Sequence, residues 1–185
     1  MAGTELALLK AVPDVKVVDT DVPSKKGVDV VAHAEAFAKS GKLPSTARRD
    51  CSGFVLAAYR AAGAPLEVPA ESQRERNLSA MLHDWSVDSH RSFRKGTPAP
   101  GDLVFFRDTI VEKGLKNHVT HVALVESVDE DGTVQLIHYM GGKIRRDAMN
   151  LSCPKDPAKN GWLRRKKHAG DPALAGELFV AYARF

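Results

Sequence analysis

Residues 50–63, Asp-Cys-Ser-Gly-Phe-Val-Leu-Ala-Ala-Tyr-Arg-Ala-Ala-Gly, restrict the fold more than any other stretch of the chain. After Cys51 come good helix formers, with Phe54, Val55, Ala58 and Ala62 at the spacing of one buried helical face. Gly63 and Pro65 supply the stop. Asp50 is placed to cap the start, its carboxylate accepting from a free backbone N–H. Cys51 therefore falls in the first turn of a buried helix. Unpaired N–H groups and the positive end of the helix dipole favour a thiolate there. The position equally suits a small buried core cysteine, and the helix alone leaves both readings open.

The remaining pattern divides into helices and then strands. Residues 28–40 carry an apolar stripe of Val28, Val31, Ala32, Phe37 and Ala38, and residues 69–85 another of Leu78, Met81, Leu82 and Trp85. After the turn Pro98-Ala99-Pro100-Gly101-Asp102 the chain reads as β: a strand over 103–106, a polar loop over 108–120, then strands over 121–128, 133–139 and 143–148. Asp131-Gly132 between two alternating runs is a hairpin signal. A Lys-, Arg-, Pro- and Gly-rich loop over 150–176 leads to a last strand over 177–184. Helices followed by an antiparallel meander predict an α+β fold, helices packed on one antiparallel sheet of about five to six strands. At 185 residues, one domain over 28–185 is expected, with residues 1–27 as an N-terminal extension packed on it.

No apolar run approaches the ~18 residues of a membrane span. There is no aromatic-studded basic strand and no Cys/His zinc spacing, so nucleic acid is not the expected partner. The net charge of +4, with clusters at Arg48-Arg49, Arg145-Arg146 and Arg164-Arg165-Lys166-Lys167, suits an anionic partner such as an acidic cell wall, or else a solvated basic face. The first residues, Met1-Ala2-Gly3-Thr4-Glu5-Leu6, lack the charged and long apolar regions of a signal peptide. A nucleophilic Cys51 would be silenced by a disulfide, so Cys153, the other cysteine, is expected to be free.

A cysteine nucleophile needs a base, and the base an orienting partner. With Asp131-Gly132 at the turn, Val128 faces about Thr133, and His121 falls opposite about Met140, one diagonal step from His138. The two imidazoles then share a face, with His121 taking the thiol proton and His138 holding its ring in the correct tautomer. Either histidine alone also fits a half-exposed strand end. Gln135 is the other polar candidate in that strand, but its odd separation from His138 puts it on the opposite face. His118 and His121, three apart on a strand, point to opposite faces, and no metal site is expected.

Asp50-Cys51-Ser52-Gly53-Phe54-Val55, Pro100-Gly101-Asp102-Leu103-Val104-Phe105-Phe106 and His121-Val122-Ala123-Leu124-Val125, in that order, resemble the NlpC/P60 family of cell-wall cysteine peptidases. The resemblance covers roughly residues 28–148. It implies a papain-like core, Cys51 as nucleophile, His121 as base, His138 as third residue, and no metal or cofactor. It also implies hydrolysis of amide bonds in peptidoglycan stem peptides, commonly beside D-glutamate and diaminopimelate, by a protein exported to the periplasm or cell wall. Where the family usually carries a Tyr and a Gly pair before Asp-Cys, this chain has residues 42–49. Arg48 and Arg49 there are candidates for binding stem-peptide carboxylates, or simply solubilising; Asp50 and Ser52 are the other candidate substrate contacts, with helix capping as the alternative for Ser52. A toxin acting on rival bacteria would come with an immunity partner; a monomer is expected in either case. Two other readings share the fold: an acyltransferase that keeps the thioester half-reaction, and a cell-wall-binding module with a vestigial site.

Overall fold

The computed structural model of the chain describes residues 25–68, 77–110, 118–166 and 168–185. Helix α1 (Lys25–Ser40) buries Val30 and Ala34 and ends at Gly41, whose φ of +65° suits a residue without Cβ. Helix α2 (Cys51–Ala61) buries Phe54, Val55 and Ala58 completely. Helix α3 (Leu78–Asp88) opens on Asn77, whose side chain accepts from the Ala80 N–H, and buries Leu78 and Leu82. It runs three residues past the end of the 69–85 pattern, whose residues 69–76 lie outside the described residues. So do residues 1–24 of the expected extension and 111–117 of the expected loop; residues 25–27 belong to α1.

Six strands follow: β1 (Ser92–Phe93), β2 (Leu103–Arg107), β3 (Val119–Val128), β4 (Val134–Met140), β5 (Lys143–Met149) and β6 (Phe179–Ala183). They form one antiparallel sheet in the order β1-β6-β2-β3-β4-β5. The fold is α+β, as the element pattern implies. The two-residue β1, too short to read from periodicity, pairs with β6.

Strand β2 reads as an unbroken apolar run because both its faces are covered. Leu103 and Phe105 pack into the helix-side core with Phe54, Val55 and Leu82. Val104 and Phe106 pack into a second core with Leu163, Ala175 and Leu178. The segment expected as a plain loop over 150–176 therefore covers the sheet's other face, and a short helix α4 (Ala175–Leu178) stands where the last strand was expected to start. Asn160, only 2% exposed, holds this segment: its Oδ1 accepts from the N–H groups of Asn150 and Gly176, and its Nδ2 donates to the carbonyls of Cys153 and Asp156. Buried, hydrogen-bonded polar side chains of this kind define a cover as firmly as apolar ones.

The Pro98–Asp102 turn is the other fixed point. Its Asp102 is buried and accepts from the Ala99 N–H and from Arg184, through Nε at 2.9 Å and Nη2 at 2.7 Å. Tyr59 of α2 donates to the Gly101 carbonyl at 2.7 Å. Gly101 has φ of +90°, and a Cβ there would meet the Gly27 backbone. Helix, turn and chain end are thus tied together. Burial already raises the Asp102 carboxyl above its usual range despite Arg184 and the Ala99 N–H. Arg184→Ala would leave that carboxylate buried without its guanidinium, and unfolding in urea should report a loss of about 2–3 kcal/mol. An unchanged midpoint would mean that water replaces the arginine.

Candidate active site

The first turn of α2 is shaped residue by residue. Asp50 is extended, and its Oδ1 accepts from the Gly53 N–H at 2.7 Å while Oδ2 pairs with Arg48 Nη2 at 2.7 Å. Gly53 lies under the loop that precedes the helix: a Cβ there would run into the Arg48 carbonyl. Only a glycine lets that loop fold back so closely. Ser52 turns inward, 2% exposed, and its Oγ lies 3.0 Å from Oγ of Ser79 on α3. Ser79 in turn lies 3.3 Å from Cys51 Sγ. The half-buried thiol therefore meets a hydroxyl from a second helix.

Across from it stands His121, 5% exposed, next to Phe106 in the register of β2 and β3. The His121 ring and the Val122 backbone are the groups on this side that act on the Cys51 thiol. The Nε2 of His121 lies 2.6 Å from Nδ1 of His138, a wholly buried residue of β4. With Nε2 occupied, Nδ1 is the nitrogen left for the thiol. His138 Nε2 lies 2.9 Å from Oδ2 of Asp147 on β5, and Arg145 Nη2 is 3.4 Å from the same oxygen. Cys51, His121, His138 and Asp147 form one line from α2 across three adjacent strands.

The electrostatics follow from this line. Burial pushes the Cys51 thiol up, but His121, through its charge and its hydrogen bond, pulls it down, with help from Ser79 and the Val122 backbone; the balance carries it from 9.0 to about 7. Burial holds His138 below the ordinary imidazole value; the hydrogen bond to Asp147 opposes this, and the charge of His121 adds to the lowering. Burial thus favours the neutral ring of His138.

Of the other residues singled out by sequence, Arg48 pairs with Asp50, Arg49 is exposed, and Gln135 donates to Asp129 on the exposed side of the hairpin. Arg48 also walls a cavity of about 290 Å³ on the outer face of α2, with Pro44, Gly53, Leu56, Arg60 and Leu78; Cys51 is not among its walls. Cys51 and Cys153 are both free thiols. Among the described residues no group of three or more His, Cys, Asp or Glu is arranged to hold a metal ion. Ser79 and Asp147 are the polar members that sequence reasoning missed. Ser79 carried a weak signal as a small polar residue on the apolar face of α3; Asp147 becomes visible only once β5 is paired with β4.

The sequence model of the NlpC/P60 family matches residues 35–162, more than half of the chain. No curated protein and no solved structure gives a match.

Alkylation of Cys51 by iodoacetamide, followed by mass spectrometry of its peptide, should rise with pH through a midpoint near 7. In His121→Ala the burial penalty loses its main opponent, and the midpoint should move upward. Overlapping profiles would mean that the imidazole is not what lowers the thiol.

Proposed function

The chain belongs to the NlpC/P60 family, and from that premise we propose that it is a cysteine peptidase or amidase hydrolysing amide bonds in peptidoglycan stem peptides, the D-glutamyl–diaminopimelate bond being the first candidate. The observation that carries this reading is the contact of Cys51, in the first turn of α2, with His121, itself 2.6 Å from His138. A base that acts on the thiol and is itself held by an orienting group is the arrangement acyl transfer requires.

The Cys51 thiolate attacks the stem-peptide carbonyl, forming the C–S bond and moving the carbonyl electrons onto oxygen. The Cys51 N–H at the positive end of α2 is the nearest candidate donor to that oxyanion, a kind of interaction whose loss costs about 100- to 1000-fold in rate. The His121 imidazolium gives its Nδ1 proton to the leaving amine as the C–N bond breaks. Water, deprotonated by the same nitrogen, then attacks the thioester and releases the acid and the thiol. Burial of His138 and the low exposure of His121 support the reading, because ion pairs strengthen where water is scarce. The net charge of +4 favours an anionic wall polymer as substrate and the periplasm or cell wall as site of action. No helix among the described residues is long and apolar enough to cross a membrane. A monomer suffices for this chemistry, and in a toxin an immunity protein would be its partner.

Defined muropeptides incubated with wild type and with Cys51→Ala test the reading by mass spectrometry of the products. Two fragments that together carry one added water, present with wild type and absent with Cys51→Ala, are expected and identify the bond. Intact muropeptides alongside a readily alkylated Cys51 would point instead to acyl transfer onto another acceptor. An unreactive Cys51 would leave a binding module.

A further inference from the structure

The line of side chains does not end at the third residue, and its far end decides what its near end can do. An ionised carboxylate accepts hydrogen bonds and donates none. Two donors converge on Oδ2 of Asp147, His138 Nε2 at 2.9 Å and Arg145 Nη2 at 3.4 Å. The proton of neutral His138 is therefore on Nε2, and its Nδ1 carries a lone pair. The 2.6 Å contact from Nδ1 to His121 Nε2 needs one proton, which must then belong to His121. Neutral His121, protonated at Nε2, presents a bare Nδ1 to Cys51.

We propose that Asp147 is a positioning residue that fixes the proton order along both imidazoles and so leaves His121 able to act as a base. This rests on reading Cys51 and His121 as nucleophile and base. Without the carboxylate, the opposite order fits the same heavy-atom geometry. His138 then donates from Nδ1 to His121 Nε2, and neutral His121 carries its proton on Nδ1, facing the sulfur, where it cannot take the thiol proton. The groups facing the line are Cys51 from α2, His121 from β3, His138 from β4 and Arg145 from β5. From the covering segment comes the backbone of Gly161.

That glycine is the second sign of a built position. A Cβ at Gly161 would strike Oδ1 and lie 2.7 Å from Cγ of Asp147. The backbone here is tied on both sides, with the Gly161 N–H donating to the Ala148 carbonyl at 2.8 Å and its own carbonyl accepting from Ala175 at 2.9 Å. The covering segment presses on Asp147 and leaves its side chain 12% exposed. A simple surface ion pair with Arg145 would explain neither the shorter bond to His138 nor the glycine behind the carboxylate.

Asp147→Ala, Asp147→Asn and Gly161→Ala test the assignment by three readouts: ¹⁵N chemical shifts of the ring nitrogens, the pH profile of Cys51 alkylation, and kcat/KM on the cleaved muropeptide. In wild type both rings should be protonated at Nε2. Asp147→Ala should mix the tautomers, shift the alkylation midpoint upward and lower kcat/KM by about 10- to 100-fold, the cost of removing the hydrogen-bond partner behind a metal-ligating histidine. Asp147→Asn should keep the tautomers and most of the activity, since His138 and Arg145 both draw the amide oxygen to their side. Gly161→Ala should displace the carboxylate and shift all three readouts in the direction of Asp147→Ala. A folded Asp147→Ala with wild-type ring nitrogens and alkylation profile would overturn the assignment. Should that variant not fold, unmixed tautomers in Gly161→Ala would do so. A wild-type Cys51 that titrates as an ordinary thiol would instead overturn the nucleophile–base reading itself.

Discussion

Two imidazole nitrogens 2.6 Å apart can hold one proton between them and not two, and the geometry of the sheet is subordinate to that contact. His121 and His138 must emerge from neighbouring strands on the same face, and a slip of one residue would send one ring to the other side. The buried pairs Leu124↔Ile137 and Val125↔Leu136 fix the register near the histidines. Glu126 then interrupts it as a bulge between Val125 and Ser127, and Arg146 of β5 grips the Glu126 carboxylate through Nε at 2.8 and 2.9 Å. A bulge held by a partner strand is a defined feature of the ladder, and it sets how far the hairpin turn lies from the histidines.

By the alternation of strand residues, His138 shares its face with Val134, Leu136 and Met140, which belong to the second core, while Cys51 packs against the helix-side core. The line of proton-bearing groups therefore connects the two layers of the molecule. One end depends on how α2 and α3 sit on the sheet, because Ser79 reaches the sulfur from α3. The other depends on residues 150–178, which close the second face with Leu163, Ala175 and Leu178. Leu163, Ala175, Leu178 and Tyr182 of that second core lie past the residues matched by the family model, and so does β6, which runs between β1 and β2 in the sheet.

Local signals were legible in the sequence and long-range ones were not. Asp50 and Cys51 stand side by side, so cap and thiol could be read from adjacent letters. The hairpin brought His121 and His138 together by counting, although by two compensating steps: Val128 faces Val134 and not Thr133, and the bulge at Glu126 restores the offset before the histidines. Ser79 comes to the sulfur from 28 residues downstream, and its one local signal, a small polar residue on the apolar face of α3, does not say what it meets. Asp147 sits in Lys-Ile-Arg-Arg-Asp-Ala-Met, which reads as a charged edge strand; β5 is indeed at the edge, but the covering segment turns this one carboxylate inward. The burial of residues 150–176 escaped for a related reason, since Asn160 organises them through polar bonds that leave no hydrophobic period.

The low pKa of Cys51 is accordingly a property of tertiary structure. Its position in the first turn of α2 is the one favourable term encoded locally, and burial acts against it. His121, Ser79 and the Val122 backbone, which overcome the burial penalty, are all distant in sequence. Loosening α3 or the β2–β4 ladder would remove stabilisation from the thiolate sooner than it would relieve the burial that opposes it, because each donor depends on a hydrogen bond of fixed length whereas desolvation falls off gradually with exposure. Reactivity of this thiol near neutral pH thus depends on the packing of α3 and of the β2–β4 ladder more than on the helix that carries it.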